Sequence, residues 1–149
     1  MTDENTLVAG LRRAGAKMTA QRLAICDYLD GNDRHPTAAE VYEALRPQFP
    51  TMSLATVYNT LGLLAELDLI HEVGATTDGS ARYDPNTTPH LNLICMRCAD
   101  IIDVEDVNLA PLEELSRARG FRVADVNVAV HGLCAKCQLE LELEGQGQV

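Results

Sequence analysis

At 149 residues, the chain has room for one domain or for two small ones. It has no apolar run long enough to cross a membrane, and its acidic first ten residues lack the basic region and apolar core of a signal peptide, which predicts a cytoplasmic protein. The net charge of −10 counts against strong non-specific binding to DNA, because contacts to phosphates dominate such affinity.

The first half of the chain is typical of four helices followed by two strands. Thr19 and Ser53 can each cap a helix, and Thr37 with Glu40 fits a capping box, in which each side chain accepts a hydrogen bond from the other residue's backbone. Apolar residues follow these caps at helical spacing. The predicted helices cover residues 5–14, 19–28, 37–46 and 53–67, and the predicted strands cover residues 70–73 and 81–83.

This order of elements predicts a winged helix-turn-helix, with residues 53–67 as the recognition helix and the two strands as the wing. The recognition helix has no Arg or Lys, so it would contact base edges or phosphates through hydroxyl, amide and phenol groups. The alternative is a core helix with a polar outer face. The candidate DNA-binding residues are Arg13, Lys17, Arg22, Ser53, Thr56, Tyr58 and Asn59.

A second domain is predicted after a linker at residues 85–89 that ends in a proline. Strands are expected at residues 90–95, 100–104 and 121–131, with a helix at about 109–119. The tail at residues 138–144 alternates Leu and Glu, which favours a strand, and residues 145–149 are expected to be disordered. The predicted fold class is therefore α+β, with a winged helix-turn-helix at residues 1–84 and a small α/β domain at residues 90–149.

Two Cys-x-x-Cys pairs are the strongest chemical signal in the chain. Four thiolates can surround one zinc ion tetrahedrally, and such a closed site is structural because no coordination position remains open. Two disulfides or free buried thiols are the alternatives, but a cytoplasmic setting favours metal. The predicted structural zinc ligands are Cys95, Cys98, Cys134 and Cys137. The remaining cysteine, Cys26, is expected to be a packed core thiol.

A second group of potential metal ligands is spread along the chain. Each of its members has an ordinary structural role when taken alone, in a turn, a loop or an acidic surface. Together, two imidazoles with carboxylate and amide oxygens suit Fe²⁺ or Mn²⁺ better than the thiolates do. The predicted regulatory metal ligands are His35, Asp84, His90, Asn92 and Asp103.

The chain resembles the ferric uptake regulator (Fur) superfamily of bacterial repressors over nearly its whole length, and six short segments carry the resemblance. They are Met18–Arg22, His35–Ala38, Ser53–Tyr58, Arg82–Asp84, His90–Cys98 and Gly132–Cys137. Within the superfamily the chain is most similar to the peroxide-responsive repressors, because Asn59 stands where iron-sensing members typically carry Arg.

The resemblance implies a winged helix followed by an α/β dimerisation domain, and a homodimer that binds palindromic DNA. It also implies Zn²⁺ on the four cysteines and a regulatory Mn²⁺ or Fe²⁺ on the mixed ligand set. The peroxide-responsive branch has a His-x-His pattern where this chain has His90-Leu91-Asn92. An amide oxygen ligates more weakly than an imidazole, so a weaker regulatory site is expected here.

The predicted function is a metal-dependent transcriptional repressor that responds to peroxide, to Mn²⁺ or Fe²⁺, or to both. One alternative is a manganese or iron homeostasis regulator of the same family without peroxide sensing. A metal-storage or redox enzyme is a second alternative, although the sequence shows no nucleophile–base pair or cofactor motif. A third alternative is a protein-interaction module that kept the fold and lost DNA binding. The net charge of −10 is consistent with it, because a negative protein is repelled by DNA phosphates.

Overall fold

The computed structural model describes residues 5–75, 79–124 and 126–146. The chain forms two compact units, Met1–Thr87 and Thr88–Val149, and the boundary between them lies inside the predicted linker at residues 85–89. Within the described ranges, none of the helices is both long enough and apolar enough to span a membrane.

The first unit contains four helices and a two-stranded hairpin, in the predicted order. The Thr19 and Ser53 hydroxyls each accept a backbone N–H bond of 3.1 Å at the start of a helix, and both bonds of the Thr37–Glu40 capping box are present, which confirms the predicted helix starts. The elements are α1 (Thr6–Arg13), α2 (Ala20–Leu29), α3 (Ala38–Leu45), α4 (Leu54–Glu66), β1 (His71–Ala75) and β2 (Ala81–Asp84).

The core of the first unit lies between its helices, where each helix buries one apolar side. Leu11, Ile25 and Leu61 are fully buried there. The lone Cys26 is fully buried in the same core, as predicted, and burial raises the pKa of its thiol to about 11. This cysteine is therefore an apolar packing residue that stays protonated at neutral pH.

Strand β2 joins two segments that are far apart in the sequence. On one side it pairs antiparallel with β1. On the other side Arg82 forms an isolated bridge with Thr37, and the Tyr83 N–H donates to the Pro36 carbonyl at 3.0 Å. These bonds hold the turn before α3 against the end of the wing.

The second unit contains a three-stranded mixed sheet and two helices. The elements are β3 (Leu91–Cys95), β4 (Ile101–Val104), α5 (Ala110–Ala118), β5 (Val128–Gly132) and α6 (Ala135–Gln146). The strand order is β4-β3-β5, with β3 antiparallel to β4 and parallel to β5. A parallel pair needs a long crossover, and here the chain between β3 and β5 supplies it through β4 and α5.

The predicted strand at residues 138–144 is wrong, because this segment lies in helix α6. Leu and Glu are both good helix formers, and a short alternation is a weak signal against that propensity. The Arg97 guanidinium lies 2.7 Å from Glu144 and 3.7 Å from Glu140. These glutamates are four positions apart, which places them one turn apart on the same face of the helix.

Two further boundaries differ from the prediction. The strand expected at residues 121–131 is confined to Val128–Gly132. Gly145 and Gln146 belong to α6 rather than to a disordered tail, and residues 147–149 lie outside the described part of the chain.

Candidate metal centres and nucleic-acid interface

The four cysteines of the two Cys-x-x-Cys pairs meet in the second unit. Their sulfur atoms all lie within 4.8 Å of one another, and the Sγ atoms of Cys98 and Cys134 are 3.8 Å apart. Cys95 and Cys137 are buried, Cys134 is half-buried and Cys98 is exposed. All five cysteines of the chain are free thiols, and the 3.8 Å between the Cys98 and Cys134 sulfurs far exceeds the roughly 2.05 Å of a disulfide bond. The cluster fits one tetrahedral zinc ion.

Backbone amides surround the thiols of this cluster. The Cys134 and Cys98 N–H groups donate to the Cys95 sulfur at 3.4 Å and 3.5 Å, and they lower the pKa of Cys95 to about 6. The Cys137 N–H donates to the Cys134 sulfur at 3.4 Å. Burial raises the pKa of Cys137 to about 12, so this thiol needs a nearby cation to ionise at neutral pH. Such N–H donors stabilise thiolates and orient them towards a shared ion.

A main-chain hydrogen bond links the segments that carry the two cysteine pairs. The Met96 N–H donates to the Gly132 carbonyl at 2.8 Å, which carries the pairing of β3 and β5 into the first turn. Ala99 closes that turn with a φ of +64°, a left-handed conformation that few non-glycine residues adopt. The ligand geometry is therefore set by the backbone of one folded unit.

In the first unit, His35 and Asp84 form a buried pair. The His35 Nε2 lies 3.2 Å from Asp84 Oδ2, and each side chain is almost fully buried. Asp84 Oδ1 also accepts the Asn86 N–H at 2.9 Å, and the Arg82 guanidinium donates to the His35 carbonyl at 3.2 Å. The pairing of β2 with the turn before α3 thus positions an imidazole beside a carboxylate across 49 positions of sequence.

Two features of this pair indicate a cation site. A buried carboxylate beside an imidazole is stabilised by a proton or a metal ion held between them. His35 also has a φ of +54°, and such backbone strain concentrates at functional positions. The His35 Nε2 and the Asp84 Oδ2 therefore lie close enough together to bind the same cation.

In the second unit, His90 and Asp103 form a similar pair. The His90 Nδ1 lies 2.7 Å from the Thr88 carbonyl oxygen, which can only accept, so Nδ1 carries the proton. The Nε2 of a neutral ring then turns its lone pair towards Asp103 Oδ1, which is 3.4 Å away. A lone pair facing a carboxylate is unfavourable unless a proton or a metal ion lies between them. Metal-binding histidines are commonly oriented by a carbonyl in this way.

Asn92 lies beside that second pair. It is the direct antiparallel partner of Asp103, so the two side chains project from the same face of the sheet. Asn92 is fully buried, and within the described residues neither its amide oxygen nor its amide nitrogen has a hydrogen-bond partner. A buried polar group left unsatisfied costs about 1–3 kcal/mol, which indicates that a ligand group is accommodated here.

The predicted DNA-binding residues of α4 lie on its outer surface. Ser53 and Asn59 are exposed, Thr56 is half-buried and Tyr58 is 49% exposed. The Ser53 hydroxyl lies 3.0 Å from that of Thr56, in addition to its bond to the Thr56 N–H. This helix carries no charged residue from Leu54 to Ala65, so its outer face is polar and neutral.

A groove in the first unit brings four of the predicted residues together. Lys17, Arg22, Thr56 and Asn59 line it from the start of α2 and from α4. The Arg22 guanidinium donates to the Lys17 carbonyl at 2.8 Å, which fixes the two basic residues relative to each other. Arg13 is exposed at the end of α1 and is not part of the groove lining. The groove offers positive charge next to hydrogen-bonding side chains, the combination that DNA contact requires.

Sequence reasoning missed two residues that position these centres. Arg82 holds the His35 carbonyl, and the Thr88 carbonyl sets the His90 ring. In both contacts the acceptor is a backbone carbonyl, which every residue has. The residue types at these positions therefore could not have indicated the contacts.

The sequence profile of the ferric uptake regulator family matches residues 13–131. A peroxide-responsive repressor PerR from Staphylococcus epidermidis is 38% identical over 134 residues, which are 89% of each chain. The structure of a ferric uptake regulator from Pseudomonas aeruginosa with manganese is 28% identical, covers 87% of this chain and 98% of its own, and superposes with a TM-score of 0.71. A structure of PerR from Streptococcus pyogenes is 34% identical, covers 89% of this chain and 90% of its own, and gives a TM-score of 0.50. The resemblance seen in the sequence is thereby confirmed, and the chain belongs to the ferric uptake regulator family.

Proposed function

We propose that the protein is a metal-dependent transcriptional repressor that binds DNA as a cytoplasmic homodimer. Members of its family are regulators rather than enzymes. The observation that carries the proposal is that each unit holds a buried imidazole beside a carboxylate, at 3.2 Å in the first unit and 3.4 Å in the second. A divalent cation would balance the charge of both pairs.

In this proposal the two pairs and the buried amide supply the ligands of one regulatory ion, Mn²⁺ or Fe²⁺. The first unit contributes His35 and Asp84, and the second contributes His90, Asn92 and Asp103. Metal binding would then favour the state of the protein that binds DNA. A ligand that binds one of two states better shifts the population towards that state, which is what a metal-controlled repressor needs. The four cysteines hold a separate structural Zn²⁺.

The DNA-contacting surface in this proposal is the outer face of α4 together with the groove beside it. Lys17 and Arg22 would bind phosphates, while Tyr58 and Asn59 reach base edges in the major groove. A homodimer would place two such helices one helical turn apart on a palindromic operator.

The sheet of the second unit supports the homodimer. Leu93 is paired with Ile102 on one neighbouring strand and with Val130 on the other, so the three side chains share a face. Ile102 is 53% exposed and Val130 is 47% exposed. An exposed apolar face of this kind is typical of a surface that a second subunit covers.

A peroxide response follows from the same ligands if the regulatory ion is iron. When bound, Fe²⁺ would supply the electron that cleaves peroxide. The rings of His35 and His90 would then be the nearest oxidisable groups, and a ring that no longer ligates would lower metal affinity and release the DNA. Relatives at 38–39% identity carry the name peroxide-responsive repressor, which supports this part of the proposal.

A manganese or iron homeostasis regulator is the second candidate function. Asn92, at a position where the peroxide-responsive branch has histidine, favours it, because an amide oxygen suits Mn²⁺. A zinc-bound manganese uptake regulator, 27% identical with a TM-score of 0.63, is among the similar structures.

The test uses zinc-loaded protein to select DNA from a random pool in the presence of Mn²⁺, followed by a titration of the selected DNA at fixed salt. We expect Mn²⁺ to strengthen binding about 5- to 150-fold, the usual range of such coupling. For a peroxide sensor, the Fe²⁺-loaded protein should lose DNA binding on brief exposure to peroxide, whereas the Mn²⁺-loaded protein should keep it. Equal DNA affinity with and without Mn²⁺ would contradict a metal-dependent repressor.

A further inference from the structure

We propose that part of the metal switch lies inside the first unit, where strand β2 connects the His35–Asp84 pair to the recognition helix α4. Arg82 is the positioning residue of this connection. The inference rests on the proposed function, because it describes how a cation at this pair acts on the helix that contacts DNA. The pair, the strand and the helix all belong to Met1–Thr87.

The two faces of β2 contact different parts of the unit. Arg82 and Asp84 are two positions apart and therefore project from the same face. The Asp84 Oδ2 lies 3.2 Å from the His35 Nε2, and the Arg82 guanidinium donates to the His35 carbonyl at 3.2 Å. Tyr83, between them, projects from the opposite face, is only 7% exposed and belongs to the apolar core of the unit. A displacement of β2 therefore reaches the cation pair and the core together.

The recognition helix packs into the same core as Tyr83. Val57 and Leu61 of α4 are fully buried there. Burial raises the pKa of the Tyr83 phenol, and Glu72 on β1 and Tyr58 on α4 raise it further. The electrostatic effect of Tyr58 indicates that the two phenol groups lie near each other, because such effects fall off with distance. The exposed tyrosine of α4 is thus close to the strand that carries the carboxylate of the pair.

A second route from β2 to α4 runs through helix α3. The Tyr83 N–H donates to the Pro36 carbonyl at 3.0 Å, and Arg82 forms a bridge with Thr37, whose side chain caps α3. Helix α3 packs against α4, and its Val41 is fully buried in the shared core. Because a close-packed interior transmits strain, a shift of the turn before α3 displaces the helix that supports α4.

Two unfavourable features occur where Arg82 meets this turn. His35 has a φ of +54°, in the left-handed region that residues other than glycine seldom occupy. The Arg82 Nε is buried and, among the residues that the structure describes, has no hydrogen-bond partner. Both features are costly, and strained positions concentrate in ligand clamps and switch regions. They lower the stability of this arrangement relative to a relaxed turn, so a cation on the His35–Asp84 pair can shift the population between the two.

The alternative role of Arg82 is that of a clamp that only stabilises the fold. Removal of such a clamp would speed hydrogen exchange with and without metal, and it would leave the response of α4 to metal unchanged. If Arg82 transmits the effect of the cation, its removal reduces that response at equal metal occupancy. Coupling between two places in a protein is demonstrated only by a measured response of this kind.

The experiment measures hydrogen exchange of backbone amides in zinc-loaded, full-length protein without DNA, before and after addition of Mn²⁺. Arg82→Met removes every N–H donor of the guanidinium, Arg82→Gln is too short to reach the His35 carbonyl, and Arg82→Lys keeps a charged donor. Arg46→Met is the matched control, because Arg46 is an exposed arginine of the same unit. Calorimetry gives each Mn²⁺ affinity, and Mn²⁺ is added at the same multiple of each dissociation constant, so that stabilisation by mass action is equal in all variants.

The amides of α1, which lies outside both routes, are the internal reference. We expect Mn²⁺ to slow exchange in α4 of the parent at least about fivefold more than in α1, the lower end of the usual range of coupling. In Arg82→Met and Arg82→Gln, α4 should be slowed no more than α1, although Mn²⁺ still binds. Arg82→Lys should recover part of the response, and Arg46→Met should match the parent.

An α4 response in the parent no greater than that of α1, or an equal α4 response in Arg82→Met and the parent, would overturn the inference. If Mn²⁺ still strengthens DNA binding by the parent in that case, the proposed function stands and only the internal connection falls. If the parent binds no Mn²⁺ beyond its zinc, the inference and the proposed function fall together. Far-ultraviolet circular dichroism checks folding, and should Arg82→Met fail to fold, Arg82→Gln decides the outcome.

Discussion

The two candidate metal centres differ in how the chain supplies their ligands. All four thiols belong to the second unit, lie within 4.8 Å of one another and are oriented by backbone N–H groups. The mixed donors form two separate imidazole–carboxylate pairs, one in each compact unit. The cysteine centre is therefore complete within one folded unit, whereas each imidazole–carboxylate pair supplies only two of the donors of the proposed regulatory ion.

This difference predicts different consequences of metal binding. An ion held by one unit adds its binding free energy to the folding of that unit. An ion that binds one conformational state better than another instead shifts the population towards that state. We therefore expect zinc to be required for structure, whereas the regulatory metal should be removable and should act as a switch.

The largest expected effect is that of Cys95→Ser. It removes the thiol that accepts two N–H bonds, and structural zinc sites supply about 10 kcal/mol or more of apparent binding free energy. The variant should lose its zinc, and the second unit should unfold, as measured by metal analysis and by size-exclusion chromatography. Cys26→Ala is the control, because this core cysteine should be dispensable for zinc. A Cys95→Ser protein that keeps its zinc and its oligomeric state would remove the structural role of this centre.

The next largest effect should come from His90→Ala. Loss of an imidazole ligand should weaken Mn²⁺ binding by about 100-fold or more, while the zinc content stays unchanged. Calorimetric titration of zinc-loaded protein measures the affinity, and His131→Ala, at an exposed histidine of the same unit, is the control. Unchanged Mn²⁺ affinity in His90→Ala would show that the regulatory metal binds elsewhere.

A smaller effect is expected on DNA binding from the surface of the first unit. Tyr58→Ala should cost about 1–3 kcal/mol with the selected DNA and relax its sequence preference, because Tyr58 is an exposed side chain of α4. Arg13→Ala should weaken specific and non-specific binding alike and reduce the salt dependence, as expected for a phosphate contact. Arg122→Ala, at an exposed arginine of the second unit, is the control in titrations at matched salt. If both variants bind DNA as the parent does, α4 is not the recognition helix.

The smallest effect should come from Arg97→Ala. The guanidinium lies 2.7 Å from Glu144, but its side chain is 32% exposed and Glu144 is 61% exposed, so the pair should contribute less than about 1 kcal/mol. Urea unfolding should detect a small loss of stability with the zinc retained. Loss of zinc from this variant would mean that the ion pair between Arg97 and Glu144 is itself needed to hold the ion, and that the four cysteines are not sufficient.

The features predicted correctly from the sequence depend on near neighbours in the chain. The caps at Thr19, Thr37 and Ser53 are local patterns, and each Cys-x-x-Cys pair supplies two thiols within four residues. The second pair was expected in a turn but lies at the start of helix α6. The α6 helix was missed because a short Leu–Glu alternation fits a strand as well as a helix. Its contacts with Arg97 cross 40 and 47 positions of sequence.

The second metal centre shows a similar limit. Residue types and family resemblance indicated His35 and Asp84, but their pairing depends on the bonds between β2 and the turn before α3. The burial of Asn92 without a hydrogen-bond partner among the described residues is likewise a tertiary property. The sequence showed only that an asparagine follows His90 by two positions.

The most direct test of the account is to remove the regulatory metal without removing the zinc. A mild chelator is added to Mn²⁺-loaded protein, and zinc content, oligomeric state and affinity for the selected DNA are measured on the same sample. We expect about one zinc per chain and an unchanged dimer, with DNA affinity lost on chelation and restored by added Mn²⁺. Two results would contradict the division between a structural and a regulatory centre. In the first, the protein keeps its zinc and its DNA affinity after the Mn²⁺ is removed. In the second, DNA affinity is lost only when the zinc is lost.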